Sequence, residues 1–483
     1  MKKNKQDNKD SKQDRQDKKR VWIIGLLLLI IILAFVLRIF FITRYPLIYG
    51  DDGPYYLIYT NALLEGKAHQ FQSLIFYYFT FFSLLFRDLT LGIKIGISLL
   101  SALTIIPIYL LAKYFTNDER IGLFAALLGA FSATSLMIMS VTLKEVGGLF
   151  IGLFLIYSVL KALDEKDKKS IVQWLLAIII LFFLMAFTHI SSSLYFLSFL
   201  VPFLFYKLIK NKLIKKDKDK YGINISVIII LILVLAILAF IFQQFFRGDL
   251  ASGIKNLLTF RYEGINFRMS DSYFFLFLFF FVFLYTRVVE KIRPPYESPH
   301  ISLLIIWLII GFISTQYSII DKTWTPRFEQ MNYIVLVILC SIGLYYALHW
   351  KKSFIKFFTL WACLTILLEA ILFYYAGMHY SKPNITIDEY TLFLDMKNKS
   401  STNTVIILDY DKYYTTDINW WLIWMGYRTS EGGQISSDDN PVLLVENTSK
   451  SYPNITSEEI ISKSESGRFL FVKYPLASAS ETR

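Results

Sequence analysis

The chain is 483 residues long, 55% hydrophobic, 17% aromatic and only 18% charged, and soluble domains carry more charge than that. Its formal charge of +12 does not point to nucleic acid, because most of the excess sits in short clusters between long apolar runs, where orientation in a bilayer demands it. Composition therefore leaves a polytopic α-helical membrane protein. Cys340 and Cys363 lie in apolar runs with no CxxC pair and no zinc spacing, so they read as packing residues.

Residues 1–20 form a basic Lys/Asp/Gln tail that is expected to lack order. The apolar run that follows is too long for a signal-peptide core and has no small-residue cleavage site, so it reads as a retained first span. A helix needs about 20 apolar residues to cross the hydrocarbon core. About eleven segments qualify: 21–43, 91–115, 121–139, 146–163, 171–189, 194–208, 223–245, 273–289, 301–315, 331–348 and 357–376.

The segment 70–86 is nearly as apolar, and whether it crosses decides the topology. If it crosses, the basic clusters at 166–169, 207–220, 287–293 and 351–356 all lie outside. If it does not, all four lie inside with the basic N-terminus, as the positive-inside rule requires. The run is short and rich in Phe and Tyr, which suits a helix in the membrane interface. Residues 44–90 are thus one long outer loop, and residues 378–483, after an odd number of spans, form a second outer region. That tail is polar, with strand-like runs at 404–408 and 441–445, and carries N-x-[ST] sequons at Asn384, Asn398, Asn447 and Asn454.

Charge near membrane depth is costly and marks functional candidates. The loop after the first span opens with Tyr49-Gly50-Asp51-Asp52-Gly53-Pro54. Adjacent carboxylates between glycines suit a hard divalent cation, and either one could serve as general base on an acceptor hydroxyl or amine. The bland alternative is that Asp51 and Asp52 cap a helix with Pro54 in its first turn. Lys144 and Glu145 sit at the outer junction of the third and fourth spans, where an interfacial anchor is the alternative. Arg327 enters a late span as Pro326-Arg327-Phe328. Its guanidinium can bind phosphate bidentately, or snorkel and pair with Glu329. His189 stands beside Ser191, Ser192 and Ser193 in a tight outer turn, where turn chemistry is the alternative reading.

These features together resemble the membrane-embedded glycosyltransferases of the GT-C fold, the superfamily of oligosaccharyltransferases, protein O-mannosyltransferases and lipid A aminoarabinose transferases. The resemblance rests on the basic N-terminus, the single span before an outer loop that opens with Asp51 and Asp52, the apolar interfacial helix, Glu145 in the next outer loop, and Arg327 before a late apolar run. It implies a GT-C-like domain over residues 21–377 and a small mixed α/β extracytoplasmic domain over 378–483, in a multi-pass cell-membrane protein with a cytoplasmic N-terminus. It further implies a polyprenyl-phosphate-linked sugar donor, a lipid, glycan or protein acceptor, and inversion at the anomeric carbon. Asp51 or Asp52 would be the catalytic carboxylate, Arg327 would bind the donor phosphate, and Asp51, Asp52 and Glu145 would be the ligands of a divalent cation (Mg or Mn). Lys144 and His189 are accessory candidates. The Trp-Trp-Asp-Tyr-Gly motif of oligosaccharyltransferases has its nearest counterpart in Trp420-Trp421-Leu422-Ile423-Trp424-Met425-Gly426-Tyr427, which lacks the Asp that helps recognise the acceptor. Two other classes remain open on the residues: a transporter or flippase for a lipid-linked or anionic solute, and a membrane scaffold whose outer tail binds partners.

Overall fold

A computed structural model describes residues 2–50, 52–67, 73–213, 229–230, 300–316, 328, 331–348, 385–399, 404–408, 421–425, 428–430, 440–446, 460–463 and 469–473. The expected spans at 223–245, 273–289 and 357–376 lie outside or almost wholly outside them. The chain divides into two compact units, one of Met1–Phe41, Gln72–Ile75 and Gly96–Met378, the other of Ile42–Phe71, Phe76–Ile95 and His379–Arg483.

The first unit is a helical bundle. Helix α1 (Lys2–Ile42) starts well before the apolar run. The tail expected to lack order is helical, because it has no Gly or Pro and its Lys, Arg and Gln are good helix formers continuing an existing helix. Its membrane portion presents Val21, Ile24, Leu28, Ile32 and Val36 outward, as a lipid-facing stripe should. Helices α4 (Leu89–Leu103) and α5 (Ile105–Thr116) together make one span. The irregularity at Thr104 precedes Pro107, which has no N–H to give the carbonyl of Leu103. Ala34 of α1, Ala102 of α4 and, on α6 (Glu119–Ala130), Ala126 and Ala130 pack into one cluster; small side chains let membrane helices approach closely.

The expected span 121–139 is broken. Helix α6 ends at Ala130 and α7 (Ala133–Val141) leaves it at 50°, with Ser132 capping α7 by accepting the N–H of Ser135 at 3.3 Å. Helices α8 (Leu143–Asp164), α9 (Lys168–Thr188) and α10 (Ile190–Leu213) follow with very short connections. The described residues also include α11 (Ser302–Gln316) and α12 (Tyr333–Leu348). Among the described residues five helices are long and apolar enough to cross a membrane, six if the bent pair counts as one. Cys340 on α12 is buried, as a packing residue should be.

The two ends of this bundle differ in charge. At one end Lys19 of α1 lies 3.6 Å from Glu119, which also pairs with Lys113 at 2.9 Å. The same end gathers Asp164 with His300, 2.7 Å apart, and Tyr114, whose hydroxyl donates to Asp164. The other end carries the start of α8 and the α9–α10 turn.

In the second unit, α2 (Gly53–Leu64) and most of α3 (Leu74–Phe86) precede the polar C-terminal region. At 13 residues, α3 is about 20 Å long, too short for a hydrocarbon core of about 30 Å. Phe76, Phe79 and Phe82 are buried, while Tyr77, Phe81, Leu84 and Leu85 form an exposed apolar face, the pattern of a helix lying in an interface. Beyond residue 378 come α13 (Ile387–Lys399) and strands β1 (Thr404–Leu408), β2 (Arg428–Ser430), β3 (Asn440–Glu446), β4 (Ile460–Lys463) and β5 (Phe469–Lys473). They make a mixed sheet of order β2-β1-β3-β5-β4, parallel between β1 and both its neighbours and antiparallel from β3 through β5 to β4. Its buried side chains include Val405, Ile406, Val442 and Leu444.

Candidate functional site

The acidic turn is built by its neighbours. Gly50 has φ of 79°, a left-handed conformation that glycine takes without steric cost. The Gly53 N–H closes the turn on the Gly50 carbonyl at 3.2 Å, and a Cβ on Gly53 would stand 2.6 Å from Ile48 Cγ2. Asp52 then occupies the N-cap position of α2, with Pro54 in the first turn, yet its side chain accepts no capping hydrogen bond. The helix-cap reading therefore holds for the position and not for the carboxylate. Asp51 lies outside the described residues. Burial, with Tyr59 and the Asp52 charge adding to it, pushes the Tyr55 phenol well above its ordinary value. Tyr55, Tyr56 and Tyr59 pack around Phe76 with ring centroids 5.3–5.9 Å from it, so an aromatic wall stands one turn from the acid.

The sequence reading passed over Lys94. It is buried on α4, and its ammonium donates to the carbonyls of Tyr45 and, at 3.1 Å, Pro46. These two carbonyls belong to the strap that leads into Asp51 and Asp52, so Lys94 fixes where the acidic turn begins. Its signal was available: a lone lysine in an otherwise apolar run.

In the bundle unit Glu145 sits in the first turn of α8 and is 1% exposed. A carboxylate there is favoured by the helix dipole. Lys144, beside it, is half-buried. His189 has an extended backbone (φ −158°, ψ 113°) between α9 and α10, and its Nδ1 accepts the Ser192 N–H at 3.3 Å and meets the Ser192 hydroxyl at 2.9 Å. The residue thus caps α10 with its own ring, so the turn-chemistry reading extends from the serines to the histidine itself. A Cβ on Gly148 would come 3.3 Å from His189 Cβ, which places the cap one turn of α8 from Glu145.

Arg327 lies outside the described residues, but the chain just after it is fixed at the same end of the bundle. Phe328 meets Tyr195 with ring centroids 5.1 Å apart, Met331 Sδ is 3.9 Å from Ser192 Oγ, and Asn332 accepts the Tyr195 hydroxyl at 2.7 Å. Trp307 completes this buried network by donating to Tyr195 at 2.6 Å. Glu145, His189 and the segment following Arg327 are thus brought to one end of the bundle, while Asp52 belongs to the other unit. Among the described residues no three His, Cys, Asp or Glu cluster as a metal site. A buried acid at a helix N-terminus can take up a proton, and the N–H groups of such a terminus can bind an anionic head group.

Known proteins carry matching features. Residues 73–240 match the model of the dolichyl-phosphate-mannose-protein mannosyltransferases, a stretch shorter than half of the chain. No curated protein matches the chain. Among solved structures, the Archaeoglobus fulgidus oligosaccharyltransferase in complex with Zn and sulfate superposes with a TM-score of 0.57 at 14% identity, over 84% of this chain and 62% of that one. The chain therefore spans under two thirds of the length of that archaeal protein. ArnT from Cupriavidus metallidurans bound to undecaprenyl phosphate superposes with a TM-score of 0.52 at 11% identity, over 93% of this chain and 97% of that one. Helical bundle, acidic first loop and these two likenesses lead to one conclusion: the chain has the fold of the GT-C membrane glycosyltransferases.

Proposed function

We propose that the protein transfers a sugar from a polyprenyl-phosphate-linked donor to an acceptor at the outer face of the cell membrane. The observation that carries this reading is the likeness to ArnT along nearly the full length of both chains, that protein having been solved with undecaprenyl phosphate. The place of Asp52 at the start of α2, beside the Tyr55 phenol, is in keeping with it.

In this reading the acceptor oxygen or nitrogen attacks the anomeric carbon and the bond to the donor phosphate breaks. Asp51 or Asp52 takes the acceptor proton, and polyprenyl phosphate leaves with the bonding electron pair. A phosphate leaving group needs little protonation, so the guanidinium of Arg327 at its oxygens and a base at the acceptor suffice. Asp51 and Asp52 would also hold a divalent cation (Mg or Mn). Adjacent hard oxygen donors fit such an ion, and Asp52 stands at the start of α2. That ion would add positive charge at the phosphate. The archaeal relative in fold was solved with Zn.

The outer placement of the site draws support from parity. Lys19 at the start of the first span meets Glu119 after the second, so α1 and α4–α5 run antiparallel. The first loop and the C-terminal region belong to one compact unit, as segments on a common membrane face must. The basic end of the bundle then faces the cytoplasm, and residues 378–483 form the extracytoplasmic domain. Asp51→Asn and Asp52→Asn, each assayed in membranes at matched expression, test the assignment. Loss of transfer in either variant supports the catalytic carboxylate; full transfer in both removes it.

A further inference from the structure

Arg38 lies inside the first span, 0% exposed, where an ionised side chain is costly and needs a reason. Its five N–H groups all have acceptors. Nε donates to Ser101 Oγ at 2.8 Å, Nη1 to the carbonyls of Ala34 and Ala130 at 3.1 Å each, and Nη2 to Ser135 Oγ at 2.8 Å and the Gly129 carbonyl at 3.5 Å. Every partner is neutral, and among the described residues no carboxylate pairs with it. The charge is instead met by the end of α6. Gly129 and Ala130 are among the last residues of that helix, whose final carbonyls have no helical partners and carry the negative end of its dipole. In hydrocarbon, where no water can serve them, a break between α6 and α7 needs a buried donor fork of this kind.

The same guanidinium reaches further. Ser135, in the first turn of α7, also lies beside the side chain of Tyr333, the first residue of α12, and α12 packs along α6. One buried cation therefore joins α1, α4, the α6–α7 break and the start of α12. Two of these lead directly into the proposed site: α7 ends at Val141, just before Glu145, and α12 begins just after Arg327.

We propose that Arg38 is a positioning residue that holds the α6–α7 break and the start of α12 in register, and so sets the end of the bundle that carries Glu145 and the segment after Arg327, where the donor phosphate would bind. This rests on the proposed function for its catalytic part, and on the hydrogen bonds of Arg38 and the packing of α12 against α6 for its structural part. The test uses the full chain and three variants: Arg38→Lys, which keeps the charge but offers three donors; Arg38→Met; and Ser135→Ala, which spares Arg38 and removes the hydroxyl beside Tyr333. Spin labels at positions 127 and 336 in a chain with Cys340 and Cys363 replaced by Ala report the α6–α12 distance. A shifted or broadened distance in Ser135→Ala or Arg38→Lys is expected, and an unchanged one in both overturns the structural part.

Sugar transfer per folded molecule is read in parallel. Misplacement by about 1 Å costs about 100-fold in rate, so Ser135→Ala is expected to lower kcat at least about 10-fold with a raised donor KM, and Arg38→Lys to retain more activity than Arg38→Met. Wild-type kcat and KM per folded molecule in Ser135→Ala and Arg38→Lys overturn the catalytic part, even where Arg38→Met fails to fold. A wild-type chain that transfers no sugar defeats the proposed function instead, while the distance measurement still decides the structural part.

Discussion

A Cβ on Gly148 would stand 2.2 Å from the hydroxyl oxygen of Ser192, so side chains of α10 press directly on the backbone of α8 at the end of the bundle that holds Glu145. One helical turn on, a Cβ on Gly152 would stand 2.1 Å from the ring of Phe196. The two glycines make a small-xxx-small seam of the kind that lets membrane helices meet.

Gly148→Ala and Gly152→Ala force these helices apart. Overpacking of this type costs about 1–3 kcal/mol, and each variant is expected to unfold at a lower temperature in detergent. Gly25→Ala, with open space around its Cβ, is the control and should unfold at or above the wild-type temperature. Equal unfolding temperatures for all three would remove the seam.

Lys94 supplies the second prediction. Lys94→Met strips the carbonyls of Tyr45 and Pro46 of their donor, and a hydrogen bond from a charged group is worth about 1.5–3 kcal/mol. The strap into the acidic turn should loosen, so tryptic cleavage after Arg44 is expected to accelerate and transfer to fall. A cleavage rate like that of the wild type would show that the strap is held by other contacts.

His300 gives a pH dependence. Burial holds its imidazole below the ordinary value of 6.5, and the neighbouring Lys207 adds to this, against the opposing pull of the Asp164 carboxylate. The folded chain then binds fewer protons than the unfolded one once pH falls below the unfolded histidine value. Stability that is fully present above that value is lost as pH falls from it toward the folded pKa. Melting temperature should therefore drop as pH falls below the unfolded histidine value of about 6.5, and His300→Gln should flatten that slope. An unchanged slope in the variant would assign the effect to other groups.

Arg327→Ala should raise the KM for the lipid-linked donor while leaving expression intact. Loss of a charge-assisted hydrogen bond to phosphate is worth about 1.5–3 kcal/mol, or about 10-fold to 100-fold in donor use. Donor kinetics like those of the wild type would count against phosphate binding by this residue.

Apolar length made much of the bundle legible. The runs at 91–115, 146–163 and 171–189 lie within Leu89–Thr116, Leu143–Asp164 and, but for the capping His189, Lys168–Thr188. The two strand-like runs at 404–408 and 441–445 fall on β1 and β3. The break inside 121–139 was not legible, because Phe131-Ser132 is too weakly polar to interrupt an apolar run, and the bend depends on donors from a distant helix. Arg38 and Lys94 were visible as single charges in apolar runs, yet their partners are carbonyls and, for Arg38, two serine hydroxyls, which sequence does not mark as partners. His189 was chosen for its chemistry and proves to cap a helix with its ring, a role set by the extended backbone at that one residue.

The most direct measurement follows both the sugar and its carrier in proteoliposomes that contain the purified chain and a polyprenyl-phosphate donor labelled in the sugar. Wild-type protein should move label from the lipid into a covalent acceptor product and release free polyprenyl phosphate, with Asp51→Asn and Asp52→Asn leaving it on the lipid. Label that crosses the bilayer with the donor intact, and no covalent product, would contradict glycosyl transfer and leave a transporter in its place.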